Sequence, residues 1–131
     1  MCYTVPMQFF VFGNPDLEID SLPVKLLPAL REAFPEHTFV HLDPNEEWDV
    51  PQHMYVIDTV VGLDEPKVFT DLKAFMAAPR MTCHDFDAYA NIMLMKKLGK
   101  LTDVTIFGLP PSSSREQSLD WLHTHLTHAV D

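Results

Sequence analysis

Short apolar runs alternate along this chain with stretches in which apolar residues recur every third or fourth position, and that alternation sets the expected order of elements. Gln8 to Phe12 is a brief apolar run closed by Gly13-Asn14-Pro15, the pattern of a buried strand entering a loop. Thr38 to Leu42, Met54 to Val61 and Asp103 to Gly108 are further β-branched or aromatic runs bounded by turn formers and charges, and the less apolar Lys67 to Leu72 is another candidate strand.

The helical stretches interleave with these runs. Asp20-Ser21-Leu22-Pro23 offers a capping side chain and a first-turn proline ahead of Leu22, Leu26, Leu27, Leu30 and Phe34, with Pro28 expected to kink the helix. Phe86, Tyr89, Ala90, Met93 and Leu94 keep helical spacing, and Lys96-Lys97 with Gly99 close a helix expected from about Asp85 to Leu98. Ser114 to Val130, with Leu119, Leu122, Leu126 and Ala129 on one face, is the last helix. Strands alternating with helices predict an α/β fold: a three-layer sandwich whose mostly parallel, roughly five-stranded sheet is covered on both faces. No repeat or linker divides residues 1–131, so a single domain is expected.

Composition narrows the function classes. With 47% hydrophobic residues the chain can bury a core unaided, and a formal charge of −10 opposes nucleic acid and anionic lipid. Cys2 and Cys83 have no CxxC spacing and read as free thiols, which favours the cytoplasm. No basic-then-apolar leader is visible, and no apolar run approaches the ~20 residues of a membrane helix.

In a parallel sheet of this kind, chemistry is expected at the carboxyl ends of the strands. Asp58 interrupts the apolar Tyr55-Val56-Ile57-Asp58-Thr59-Val60-Val61, and a buried carboxylate there needs a metal, a hydrogen-bond donor or an exposed strand end; a plain turn role is the bland alternative. Asp20 follows the first strand at a helix start, where capping alone would account for it. His84 lies just before the third helix and can present a neutral imidazole nitrogen. Two carboxylates and an imidazole suit a divalent first-row metal. The rival cluster, His123, His125 and His128, reads as a solvated helix end, since His123 and His125 point to nearly opposite sides. Asp43, Glu46, Glu47 and Asp49 read as a solvated loop, Cys83 as a structural thiol, and neither a phosphate-cradling glycine loop nor a GxSxG elbow is present.

Taken in order, Phe12-Gly13-Asn14-Pro15 then Asp20, Val56-Ile57-Asp58-Thr59-Val60, and His84-Asp85 opening a helix that ends at Lys97-Leu98-Gly99 before Val104-Thr105-Ile106-Phe107-Gly108 resemble the hydrogenase maturation peptidases over roughly residues 8–110. The resemblance implies that Asp20, Asp58 and His84 converge on a metal. It also implies hydrolysis that releases the C-terminal extension of a nickel-loaded [NiFe]-hydrogenase large-subunit precursor, with the nickel belonging largely to that substrate. Asp20 is aligned by its spacing from Gly13-Asn14, while Asp16 and Glu18 lie in the same stretch. The chain departs from the family in lacking the glycines common after the acidic motif, and Val11 stands where glycine is frequent. Two other readings share these residues: a module that recognises the precursor without cutting it, and a flavodoxin-like ligand-binding domain.

Overall fold

The computed structural model describes residues 7–13, 16, 21–42, 51–60, 62–76 and 83–129. Its strands are β1 (Gln8–Val11), β2 (Thr38–His41), β3 (His53–Thr59), β4 (Lys67–Phe69) and β5 (Asp103–Leu109). Its helices are α1 (Leu22–Lys25), α2 (Leu27–Ala33), α3 (Leu72–Met76), α4 (Cys83–Lys97) and α5 (Arg115–Ala129). The strands form one sheet in the order β2-β1-β3-β5-β4, parallel except for β4, which runs antiparallel to β5.

The three-layer expectation holds because the central strands bury both of their faces. Successive side chains of a strand point to opposite sides, so Phe9 and Val11 enter one core and Phe10 and Phe12 the other. Phe9 and Val11 pack with Ile57, Phe107 and Leu109 under α1, α2 and α5. Phe10 and Phe12 pack with Met54, Val56, Val104 and Ile106 under α3 and α4.

Sequence and structure part at three places. Pro28 does more than kink the first helix: with no N–H and a ring that crowds the preceding turn, it starts a new helix, so α1 stops at Lys25 and α2 begins at Leu27. The run from Lys67 to Leu72 is a strand only as far as Phe69; Leu72 instead opens α3, which buries Leu72 and Phe75 at helical spacing. On α4 the buried stripe is Tyr89, Ile92 and Met95, which leaves Leu94 on the solvent side.

The end of α4 follows its sequence signal. Gly99 takes φ +78, its N–H donates to the Lys96 carbonyl, and Lys100 N–H reaches back to the Met95 carbonyl, the paired bonds of a Schellman cap. A Cβ at Gly99 would meet nothing within 4 Å, so the cost of adding one is conformational alone. Gly99→Ala is expected to lower stability by about 1–2 kcal/mol, read as a lower urea midpoint with an unchanged slope; an unchanged midpoint would remove the cap from the account.

Candidate functional site

The connections set where a site can form. From β1 the chain crosses to β2 through α1 and α2 on one face, whereas from β3 it reaches β5 through α3 and α4 on the other. β1 and β3 are neighbours whose connections leave in opposite directions, which opens a crevice beyond their carboxyl ends. Asp58 is the penultimate residue of β3, at that edge.

Alternation points Asp58 to the same side as Met54 and Val56, toward α4, and it is only 1% exposed. Its carboxylate is held from two directions: Oδ1 accepts the Thr59 N–H at 2.8 Å, and Oδ2 accepts the Tyr89 hydroxyl at 2.9 Å. Tyr89 comes from the buried stripe of α4, its ring set edge-on to Phe12 at 5.4 Å and to Phe75 at 4.9 Å. Opposite Asp58 in the ladder stands Gly108, where a Cβ would come within 2.8 Å of the Phe69 ring, so only glycine lets that ring close over β5 there. Among the described residues the buried Thr59 hydroxyl finds no hydrogen-bond partner.

Tyr89 is the residue that sequence reasoning left in the core. The signal was present: a tyrosine on a buried helical stripe must find a partner for its hydroxyl, and a carboxylate inside a strand must find a donor. Spacing alone did not connect residues so far apart in sequence. Removing the hydroxyl in Tyr89→Phe deprives a buried carboxylate of one donor and is expected to cost about 1–3 kcal/mol, measurable by urea unfolding; an unchanged midpoint would show that the bond contributes nothing net.

Of the three residues expected to converge on a metal, Asp58 is placed as described. Asp20 lies outside the described residues, as does Glu18, while Asp16 is exposed in a turn. His84 belongs to the first turn of α4, one residue inside the helix rather than before it, and its side chain lies outside the described ones. Among the described residues no three His, Cys, Asp or Glu side chains gather to hold a metal ion. Asp43, Glu46, Glu47, Asp49 and Cys2 fall outside the described residues, as do the side chains of Cys83 and His128.

Two further features lie along the same edge of the sheet. The His41 Nε2–H at the end of β2 donates to the Gly13 carbonyl at 2.9 Å, tying β2 to the loop after β1. A cleft of about 340 Å³ opens between residues 64–66 and the start of α5, with Asp64, Glu65, Pro110, Gln117 and Trp121 among its walls. Trp121 packs on Phe107, so this cleft is on the α5 side of the sheet and Asp58 on the α4 side. In the histidine cluster, His125 stacks on Trp121 at 4.1 Å while the exposed His123 lies against Phe34. No helix among the described residues is long and apolar enough to cross a membrane.

No protein-family model and no curated protein sequence matches the chain. Solved structures do. The hydrogenase maturating endopeptidase HybD from E. coli superimposes with a TM-score of 0.65 at 14% identity, covering 95% of this chain and 93% of that one. The solution structure of an endopeptidase from Escherichia coli gives a TM-score of 0.71 at 13% identity, over 95% and 93% of the two chains. The hydrogenase 3 maturation protease gives 0.66 at 16% identity, over 95% and 90%. The chain therefore has the fold of the hydrogenase maturation endopeptidases.

Proposed function

We propose that this chain is a peptidase that removes the C-terminal extension of a nickel-loaded [NiFe]-hydrogenase large-subunit precursor. The observation that carries the reading is Asp58, a carboxylate buried and oriented at the switch point of a sheet whose fold is that of HybD and the hydrogenase 3 maturation protease. A carboxylate has about four lone-pair positions. Thr59 and Tyr89 each engage one oxygen, and these bonds fix the orientation of Asp58.

In this reading the nickel arrives with the precursor, and Asp20, Asp58 and His84 receive it. Two carboxylates and an imidazole are a donor set that a divalent first-row metal accepts. Only loaded precursor is then positioned for cleavage. Water adds to the scissile carbonyl, its proton passes to a base, and the departing amine takes a proton as the C–N bond breaks; a carboxylate held at the strand end can serve as that base. His84→Ala is expected to weaken the discrimination between loaded and nickel-free precursor, seen as a smaller difference in their cleavage rates, and an unchanged difference would remove His84 from the site. The absence of CxxC spacing between Cys2 and Cys83 favours work in a reducing compartment such as the cytoplasm.

The near-complete burial of Asp58 favours one other reading, a module that binds the precursor without cutting it. Mass spectrometry of nickel-loaded and nickel-free precursor after incubation with the protein separates the two. Loss of a short C-terminal peptide from the loaded form alone supports the peptidase; an intact precursor of verified nickel content, still bound in a nickel-dependent complex, supports the module.

A further inference from the structure

Just past the last rung of the β1–β2 ladder, a side chain makes the bond that the backbone cannot. Thr38 N–H donates to the Met7 carbonyl and Leu42 N–H to the Val11 carbonyl, so in this register β2 offers an N–H to every second carbonyl of β1. The next such pair is residue 44 with Gly13, and residue 44 is Pro44, which has no N–H to give. His41 supplies a donor instead, with its Nε2 at 2.9 Å from the Gly13 carbonyl oxygen. A carbonyl only accepts, so this bond requires the imidazole to carry its proton on Nε2.

The plain explanation is a surface tie that satisfies one carbonyl. The place of that carbonyl says more. Gly13 takes φ +154, a conformation that a side chain would strain, and there the chain leaves the sheet. On its other side, β1 is held by the bond from Phe12 N–H to the carbonyl of Ile57, the residue before Asp58. Gly13 therefore stands at the mouth of the crevice between β1 and β3, and the segment that follows it leads through Asp20 to the buried Ser21 ahead of α1. The bond from His41 fixes the direction in which that segment starts.

We propose that His41 is a positioning residue of the Asp58 site, which acts by holding the Gly13 carbonyl toward β2 and so fixing the start of the segment that carries Asp20. The inference rests on the peptidase reading, in which Asp20 receives the precursor's nickel. His41 itself touches neither nickel nor peptide; its contribution passes through the Gly13 backbone. The side chains that can replace it follow from the geometry. A glutamine amide reaches as far as Nε2 and donates, asparagine is one methylene short, and alanine has no donor.

The test compares the full chain with His41→Gln, His41→Asn and His41→Ala on nickel-loaded precursor. His41→Ala and His41→Asn are expected to lower kcat/KM at least about tenfold, whereas His41→Gln stays within about threefold of wild type. His41 is exposed, so all three should keep the wild-type urea midpoint; if His41→Ala does not fold, His41→Asn decides. A merely structural tie would lower the midpoint and leave the rate of the folded fraction unchanged. Three results would overturn the inference: kcat/KM within about twofold of wild type in both His41→Ala and His41→Asn, His41→Gln as impaired as His41→Ala, or nitrogen NMR of the neutral imidazole showing the proton on Nδ1. Wild-type protein that binds loaded precursor without cutting it sinks the peptidase reading alone, and the same variants are then ranked by their affinity for that precursor, with the same thresholds. Wild-type protein that neither binds nor cuts it overturns both.

Discussion

Asp58→Asn is expected to slow processing of nickel-loaded precursor by on the order of a hundredfold while leaving the protein folded. Asparagine has nearly the volume of aspartate, and its oxygen can still accept the Thr59 N–H that Oδ1 accepts now. The side-chain amide would face the Tyr89 hydroxyl, which can turn from donor to acceptor, so the local geometry survives at modest cost. What disappears is the negative charge, and with it both the metal ligand and the proton acceptor that the proposed function assigns to Asp58. Single-turnover cleavage assays report the rate, and unfolding of the same preparation reports the fold. Cleavage at the wild-type rate by folded Asp58→Asn would remove Asp58 from the chemistry and leave it the strand-end role that its bonds to Thr59 and Tyr89 already describe.

Phe9→Ala is expected to be the most destabilising of these substitutions, by about 3–5 kcal/mol, a large share of the 5–15 kcal/mol typical of a domain. Phe9 is fully buried on β1 between β2 and β3. Its ring stacks on Phe39 at 5.3 Å and meets Tyr55 at 5.7 Å, Phe107 at 6.3 Å and His37 at 5.4 Å. Those neighbours come from β2, β3, β5 and the turn before β2, so a void there cannot be closed by moving one element. Thermal and urea unfolding would measure the loss; a cost below 1.5 kcal/mol would mean that the aromatic cluster relaxes into the space.

Both experiments probe features that differ in how far the sequence foretold them. The apolar run Gln8 to Phe12 announces a strand, and because it is apolar at consecutive positions it announces one buried on both faces. That is enough to place Phe9 in a core. It does not say which rings surround it, since those are chosen by a strand order of β2-β1-β3-β5-β4 that no local pattern encodes.

The helices show the same division. Gly99 after Lys96-Lys97 is a local stop signal, and the chain stops there because only the backbone of the last turn and the next residues is involved. α3 escaped notice because it is five residues long, too short for periodicity to register, and it exists because Leu72 and Phe75 close over the α4 side of the sheet. Leu94 falls in the helical period of Tyr89, Ala90 and Met93, yet the docking angle of α4 turns it outward. A period identifies an apolar stripe, and the neighbouring element decides which edge of the stripe is covered.

At the candidate site, the sequence by itself determined that a carboxylate sits at the end of a buried strand and requires a partner, because an unpaired charge in an apolar run is too costly to leave alone. It determined the order of the five strands and of the two long helices α4 and α5, the two-sided burial of the sheet and the placing of Asp58 at a carboxyl edge. Only the tertiary structure decided that the partner is the hydroxyl of Tyr89, thirty-one residues away on α4, and that Gly108 faces Asp58 across the ladder. Those are contacts between elements distant in the chain, selected by which helix packs on which face of the sheet, and a side chain's own neighbours in sequence carry no record of that choice.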